Sequence, residues 1–308
     1  DVDRGVELCR DFRPELMVAI GGGSSMDCCK GINFLHTNGG RMQDYWGVGK
    51  AQHPMLPMFA VPTTAGTGSE AQSFALISDA ETHAKMACGD KKAAFRIALL
   101  DPDLTQTQPR QVTVLTGLDA IAHSLETLVT KKRNLMSQAF SREAWRHLAP
   151  NFRRVLEDPD DPEARAAMQL GACFAGLAIE NSMLGAAHAL ANPLSAAYGV
   201  VHGQAVGVML PHVIRFNGEQ FAELYRQLLE VTSGIPGLPT AEQGVEGLAE
   251  FITDLLSETG LAGRLNDLQV PETDLPQLAE NAAQQWTGTF NPRSVSSGEW
   301  LALYQAAF

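Results

Sequence analysis

Residues 16–36, LMVAIGGGSSMDCCKGINFLH, read as a buried strand, a glycine turn and a helix in direct succession. The apolar run Leu16–Ile20 has the length of a strand and is stopped by glycine, whereas Met26–His36 carries helical spacing. The same grammar recurs downstream: Met58–Pro62 (MFAVP) runs into TTAGTGSE, and Arg96–Leu100 (RIALL) stops at Asp101-Pro102. Val6–Arg13 predicts a preceding helix, and the weak alternation of Gln72–Ile77 predicts a half-exposed strand. Fully buried strands alternating with helices imply a parallel, Rossmann-like α/β sheet that binds ligands at the carboxyl ends of its strands.

Beyond about residue 105 the period changes. Apolar residues recur at helical spacing over 119–129, 141–155, 163–190, 205–216, 221–231, 245–259 and 274–282, with breaks expected at Pro150, Asp158-Pro159, Pro193, the GIPGLP stretch of 234–239 and Asn291-Pro292. The chain therefore divides into an α/β domain, 1–105, and an all-α domain, 106–308. The small and apolar stretch Leu170–Leu194 is interrupted by Glu180, Asn181 and His188, which makes it a buried helix and not a membrane span.

Composition narrows the function classes. A net charge of −12 over 308 residues, with no basic cluster, argues against nucleic acid or an anionic membrane as partner. Five cysteines without a CxxC pair fit a reducing cytosol better than a disulfide framework. The opening DVDRGVELCRDF has neither signal-peptide character nor an initiating Met, so the chain is expected to begin partway into a longer protein. A homodimer is the expected assembly.

Two loops point to a nucleotide. Gly21, Gly22, Gly23 and Ser24, with Asp27 close behind, lie between strand and helix, where glycines let a pyrophosphate approach and helix amides supply donors. Thr63, Thr64 and Thr67 place hydroxyls at the end of the next strand. An ordinary tight turn and a Ser/Thr/Gly loop bonded to itself account for each taken singly; the pair favours one dinucleotide.

A second constellation points to a metal. Asp119 and His123 stand four apart, on one helix face, and His188 and His202 stand fourteen apart around Pro193, whose break is expected to fold the chain back. One carboxylate with three imidazoles suits iron(II) or zinc. Against this, a lone His188 in an Ala-rich helix reads as a core histidine, and Asp119 reads as a first-turn residue behind a Thr116 cap. His36, His53 and His83 sit in polar loop contexts, His147 lies on an amphipathic helix, and His212 is a candidate beside the substrate.

Taken in order, GGGSSMD, PTTAGTGSE, RIALLDPDLT, TGLDAIAHSLE, GAAHALANPLSAAYGVVHG and VMLPHVIRFN resemble the iron-containing (group III) alcohol dehydrogenase family over nearly the whole chain. The resemblance implies a dehydroquinate-synthase-like architecture, NAD or NADP on Gly21–Ser24, Thr63, Thr64 and Thr67, and Lys85 near the ribose. It also implies Fe(II) or zinc on Asp119, His123, His188 and His202, and a small alcohol or aldehyde as substrate. Two departures stand out: Asn192 occupies a position where many members carry a histidine implicated in proton transfer, and the family's opening strand and glycine turn do not precede Asp1. Neighbouring readings are a glycerol-dehydrogenase-like or dehydroquinate-synthase-like enzyme, or a non-catalytic remnant. A sugar-phosphate substrate is disfavoured because residues 181–216 contain one basic side chain, Arg215.

Overall fold

Helix α1 (Val2–Phe12) ends at Arg13 in the left-handed region and leads into strand β1 (Met17–Gly21), helix α2 (Gly23–Asn38), and strands β2 (Gly47–Val48) and β3 (Met58–Pro62). Strands β4 (Phe74–Ser78), β5 (Lys85–Gly89) and β6 (Ile97–Ala98) follow. The structure is a computed structural model that describes residues 1–79 and 85–308; His83 lies outside the described residues. β1, β3 and β6 form a parallel sheet in that order, with Met17 opposite Met58 and Gly21 opposite Pro62. The glycine and threonine loops therefore leave neighbouring strand ends on the same side, as the parallel α/β reading requires.

Three details differ from the sequence reading. β1 is an edge strand with one uncovered face: Ala19 is buried, while Val18 and Ile20 on the opposite face are 52% and 65% exposed. With Leu8, Phe12 and Leu16 these side chains border an open groove of about 690 Å³. RIALL contributes only a two-residue strand, with Ile97 and Leu99 exposed. Finally, β4 belongs to a second sheet, ordered β2-β5-β4, in which it runs antiparallel to β5.

Helices make up the remainder: α3 (Arg110–Val129), α4 (Leu135–Glu157), α5 (Pro162–Asn181), α6 (Ala186–Tyr198), α7 (His202–Glu230), α8 (Gly244–Thr259), α9 (Leu275–Ala283) and α10 (Ser297–Ala306). α3 is the central one, buried on every face from Gly117 to Val129. It is long and apolar enough to cross a membrane, but that surface is enclosed by the protein's own helices. Asn134 and Asp161 cap α4 and α5 through their side chains, and Pro162 occupies the first turn of α5, where a missing N–H costs nothing.

The expected break at Pro150 is absent, and Pro193 likewise lies inside α6. The chain instead turns twice at other places. The predicted single helix of 163–190 breaks between Asn181 and Ala186, bending by 103°. Gly199, at φ +66°, then closes α6 and redirects the chain into α7.

α5 is the seam between the two parts. Gly68, at φ +62°, meets it backbone to backbone: a Cβ added at Gly68 would stand 2.5 Å from Gly176 Cα. Along the same helix Gln169 donates to Pro62 O at 3.0 Å, and the Ser73 amide donates to Glu180 at 2.9 Å. Lys91 pairs with the same Glu180 carboxylate.

Candidate metal centre and nucleotide loops

α3 begins at Arg110, so Asp119 is no first-turn residue, and Thr116 returns its hydroxyl to Val112 O and caps nothing. Asp119 is 5% exposed. Its Oδ1 is the convergence point of three imidazoles: His123 Nε2 at 3.3 Å, His188 Nε2 at 3.3 Å and His202 Nε2 at 3.8 Å. The ligand atoms of Asp119, His188 and His202 all lie within 4.8 Å of one another, and His123 joins them with its ring stacked on His188 at 4.9 Å. Ligand atoms ~2.1 Å from one tetrahedral ion stand about 3.4 Å apart. Two of the three imidazole nitrogens hold that spacing from Oδ1 and the third stands slightly farther away, so the donor set of Asp119, His188 and His202 fits a divalent cation, with His123 beside it.

Electrostatics say the same. Burial opposes charge on Asp119, but His123, His188 and His202 outweigh it and hold the carboxyl well below the usual range. Burial lowers His123 to about 4 and His202 to about 3, leaving neutral rings with lone pairs to offer. His188 departs from this: burial is outweighed by Glu126 and Asp119 on either side, which raise it to about 9. The His202 side chain is 30% exposed against 5% or less for the other two, so the cluster opens to solvent on the His202 side.

Glu126 was missed by the sequence reading and organises the site. Its Oε2 lies 2.5 Å from His188 Nδ1, and its Oε1 accepts from the Ala187 amide at 2.7 Å. Gly185, at the start of α6, has no capping side chain, so Glu126 and Asn291, which accepts from Ala186 N at 3.2 Å, cap that helix from other elements. A carboxylate behind a ligating imidazole fixes its tautomer and raises its basicity. Glu126 stands seven residues after Asp119 and three after His123, on one helical stripe, and that spacing was the available signal. Glu126→Gln is expected to weaken metal affinity about 10- to 100-fold with the fold intact. Competition with a chelator measures this, and an unchanged dissociation constant contradicts the role.

The glycine and threonine loops lie against one another. Thr63 N donates to Gly21 O at 3.0 Å. A Cβ on Gly22 would meet the Thr64 methyl at 3.2 Å, and one on Gly23 would meet Thr67 at 2.7 Å. The glycines thus make room for the threonines while the first amides of α2, beside the exposed Ser24, face outward at a positive helix end. Asp27 does different work from that expected of it. It is buried, accepts from Ser69 Oγ at 2.5 Å and Leu76 N at 3.2 Å, and stands 3.4 Å from Lys30 Nζ. Fully buried Lys30 also donates to Ser69 O at 2.8 Å and Phe74 O at 2.7 Å. Asp27 and Lys30 together brace the threonine loop from behind.

Lys85 is exposed at the start of β5, and its positive charge acts on His202. Asn192 lies one turn beyond His188 on α6 and donates to Gln285 Oε1 at 3.1 Å. His212 is ten residues beyond His202 on α7, roughly 15 Å along the axis. Burial and Arg215 lower it to about 4, and it lies away from the cluster.

The protein matches known families along its length. A family described as iron-containing alcohol dehydrogenase matches residues 1–102, and one described as Fe-containing alcohol dehydrogenase family, C-terminal, matches residues 113–308. The NAD-dependent methanol dehydrogenase of Bacillus methanolicus is 34% identical over 296 residues, 95% of this chain and 77% of the relative. The 1,3-propanediol dehydrogenase of Klebsiella pneumoniae is 33% identical over 312 residues, 100% of this chain and 80% of the relative. Among solved structures, a 1,3-propanediol oxidoreductase superposes with a TM-score of 0.93 at 34% identity, covering 100% of this chain and 80% of that one.

Proposed function

We propose, from the premise that the chain belongs to the iron-containing alcohol dehydrogenase family, that it exchanges hydride between a small alcohol or aldehyde and NAD at a divalent-metal centre. The observation that carries this reading is the convergence of three imidazole nitrogens on one buried carboxylate oxygen. Asp119, His123, His188 and His202 would hold the ion, with iron(II) the metal we assign, since a fifth position for substrate comes more readily to iron(II) than to structural zinc. Such an ion, when bound, would act as a Lewis acid on the substrate oxygen.

The chain's own residues supply the rest. Gly21–Ser24 with Thr63, Thr64 and Thr67 bind and orient the dinucleotide, NAD being assigned over NADP on the name of the methanol dehydrogenase relative. Residues 1–105 form the nucleotide domain and 106–308 the metal domain. Substrate enters beside His202, the least buried of the three histidines. Asn192 exchanges no proton near neutral pH, so the alcohol's proton is assigned to water on that side. Free cysteines at 9, 28, 29, 88 and 173 support a cytosolic location.

Purified protein supplied with iron(II) or zinc, NAD or NADP, and a panel of primary alcohols, diols and aldehydes provides the test. Absorbance of the reduced cofactor is expected to change with iron(II), NAD and a short alcohol. Metal binding without turnover in any combination overturns the dehydrogenase reading.

A further inference from the structure

The three helices that carry the four candidate ligands meet at one place, the first turn of α6. α3 sends Glu126, whose Oε1 accepts from the Ala187 amide at 2.7 Å. α7, which carries His202, reaches the same turn through two carboxamides. Asn291 Oδ1 accepts from Ala186 N at 3.2 Å and from Asn217 Nδ2, on α7, at 3.1 Å. One oxygen therefore joins the start of the His188 helix to the His202 helix. Gly185 leaves room for this: a Cβ there would lie 3.1 Å from both Asn291 Oδ1 and Glu126 Oε1.

Asn291 is saturated. Its Nδ2 donates to Asn217 Oδ1 at 2.8 Å and to Arg293 O at 3.0 Å, so two lone pairs and two N–H groups are all in use. Ala186 N can only donate and Arg293 O can only accept, which fixes the orientation of the Asn291 amide and, through it, that of Asn217. Asn291 is 0% exposed and Asn217 1%. Arg293 anchors the same segment on α7 a second time, donating to Phe216 O at 3.0 Å with its guanidinium 3.7 Å over the Phe216 ring. From His202 to Gln220 the backbone of α7 is helical throughout, its departure falling at Phe221. A shift at Asn217 is therefore carried to His202 along one rigid element. Stability alone does not ask for such a pair, because apolar groups of the same shape in place of both amides leave a core about as stable. The best-attested use of a buried polar pair is to fix register between helices.

We propose that Asn217 and Asn291 are positioning residues for the metal centre, holding α7 in register with the start of α6 and so setting where His202 stands relative to His188; this rests on the metal-site reading. Asn217 lies fifteen residues beyond His202, roughly 22 Å along the axis. It acts on the ion through the helix and not by contact.

Cobalt(II) added to the metal-free protein provides the test. The readouts are its Kd, by competition with a chelator, and its visible absorption, which depends on ligand geometry. Asn217→Leu keeps the volume and removes both amide bonds to Asn291. It is expected to weaken cobalt(II) binding roughly 3- to 30-fold and to alter the absorption spectrum. Ile252→Val, on α8, truncates another fully buried side chain away from the pair. Its Kd is expected to stay within about twofold of the unaltered protein, with the spectrum unchanged. Asn217→Ser, too small to overpack, carries the same test if Asn217→Leu does not fold. An unchanged Kd and spectrum in the folded Asn217 variant, or an equal loss in Ile252→Val, overturns the positioning role while metal binding by the unaltered protein stands. Absence of cobalt(II) binding in the unaltered protein overturns the metal-site reading and the positioning role with it.

Discussion

Asp119→Asn is expected to give a folded protein that retains no metal after dialysis and oxidises alcohols on the order of 10³-fold more slowly. The substitution preserves volume and keeps one carbonyl oxygen, so α3 has no packing reason to move. What it removes is the one negative charge at the point where three imidazoles meet. A bound cation contributes several kcal/mol of transition-state stabilisation, and each 1.36 kcal/mol is a factor of ten in rate. Elemental analysis beside steady-state rates measures both effects. Full metal stoichiometry in the variant would mean that the histidines suffice and that Oδ1 is not the centre of the site.

Gly68→Ala is the second large effect, acting on stability and on nucleotide binding together. Gly68 has φ +62°, and its added Cβ would meet Gly176 Cα at 2.5 Å, Gly176 N at 2.8 Å and Ala172 O at 2.9 Å. All three are main-chain atoms, with no flexible side chain to move aside. Gly199→Ala is the matched control, since Gly199 has φ +66° and nothing within 4 Å of the added atom. The control carries only the left-handed backbone cost, roughly 1–2 kcal/mol. Gly68→Ala adds overpacking against a rigid neighbour, for a total of about 2–5 kcal/mol. Denaturant midpoints of the two variants isolate the contact. Displacing Gly68 also shifts Thr67 from Gly23, so NAD affinity is expected to fall in Gly68→Ala and to hold in Gly199→Ala. Equal losses in both variants would show that the seam on α5 yields.

What was legible in the sequence follows from what spacing encodes. A loop that ends a strand announces itself by glycine and hydroxyl residues, so the two strand-end loops and the parallel strands behind them were readable. Asp119 and His123 were readable because helix periodicity fixes their common face. Glu126 lies on that same stripe but looks like any helical glutamate until α6 brings His188 to it across 62 positions. The prolines misled for a related reason. Pro193 is buried inside α6, where tertiary packing holds a helix that local preference would end, and the turn falls at Gly199. The outer face of β1 was read as covered because a continuous apolar run carries no record of whether both faces find neighbours. Asp27 was expected near the cofactor because it lies in the glycine motif; its bonds to Ser69 and Leu76, which brace the threonine loop, span 42 and 49 positions and were not legible from spacing.

The capping of α6 from outside has a consequence in time. His188 is set by a helix whose first amides are held by Glu126, already synthesised, and by Asn291, which emerges 105 residues after Ala186. A ribosome adding roughly 5–20 residues per second makes the nascent chain wait about 5–20 seconds between supplying the ligand and supplying the group that fixes its helix. During that interval the site has its imidazoles but not their final arrangement. The arrangement that would receive an ion is therefore completed late, when the segment carrying Asn291 docks on the start of α6.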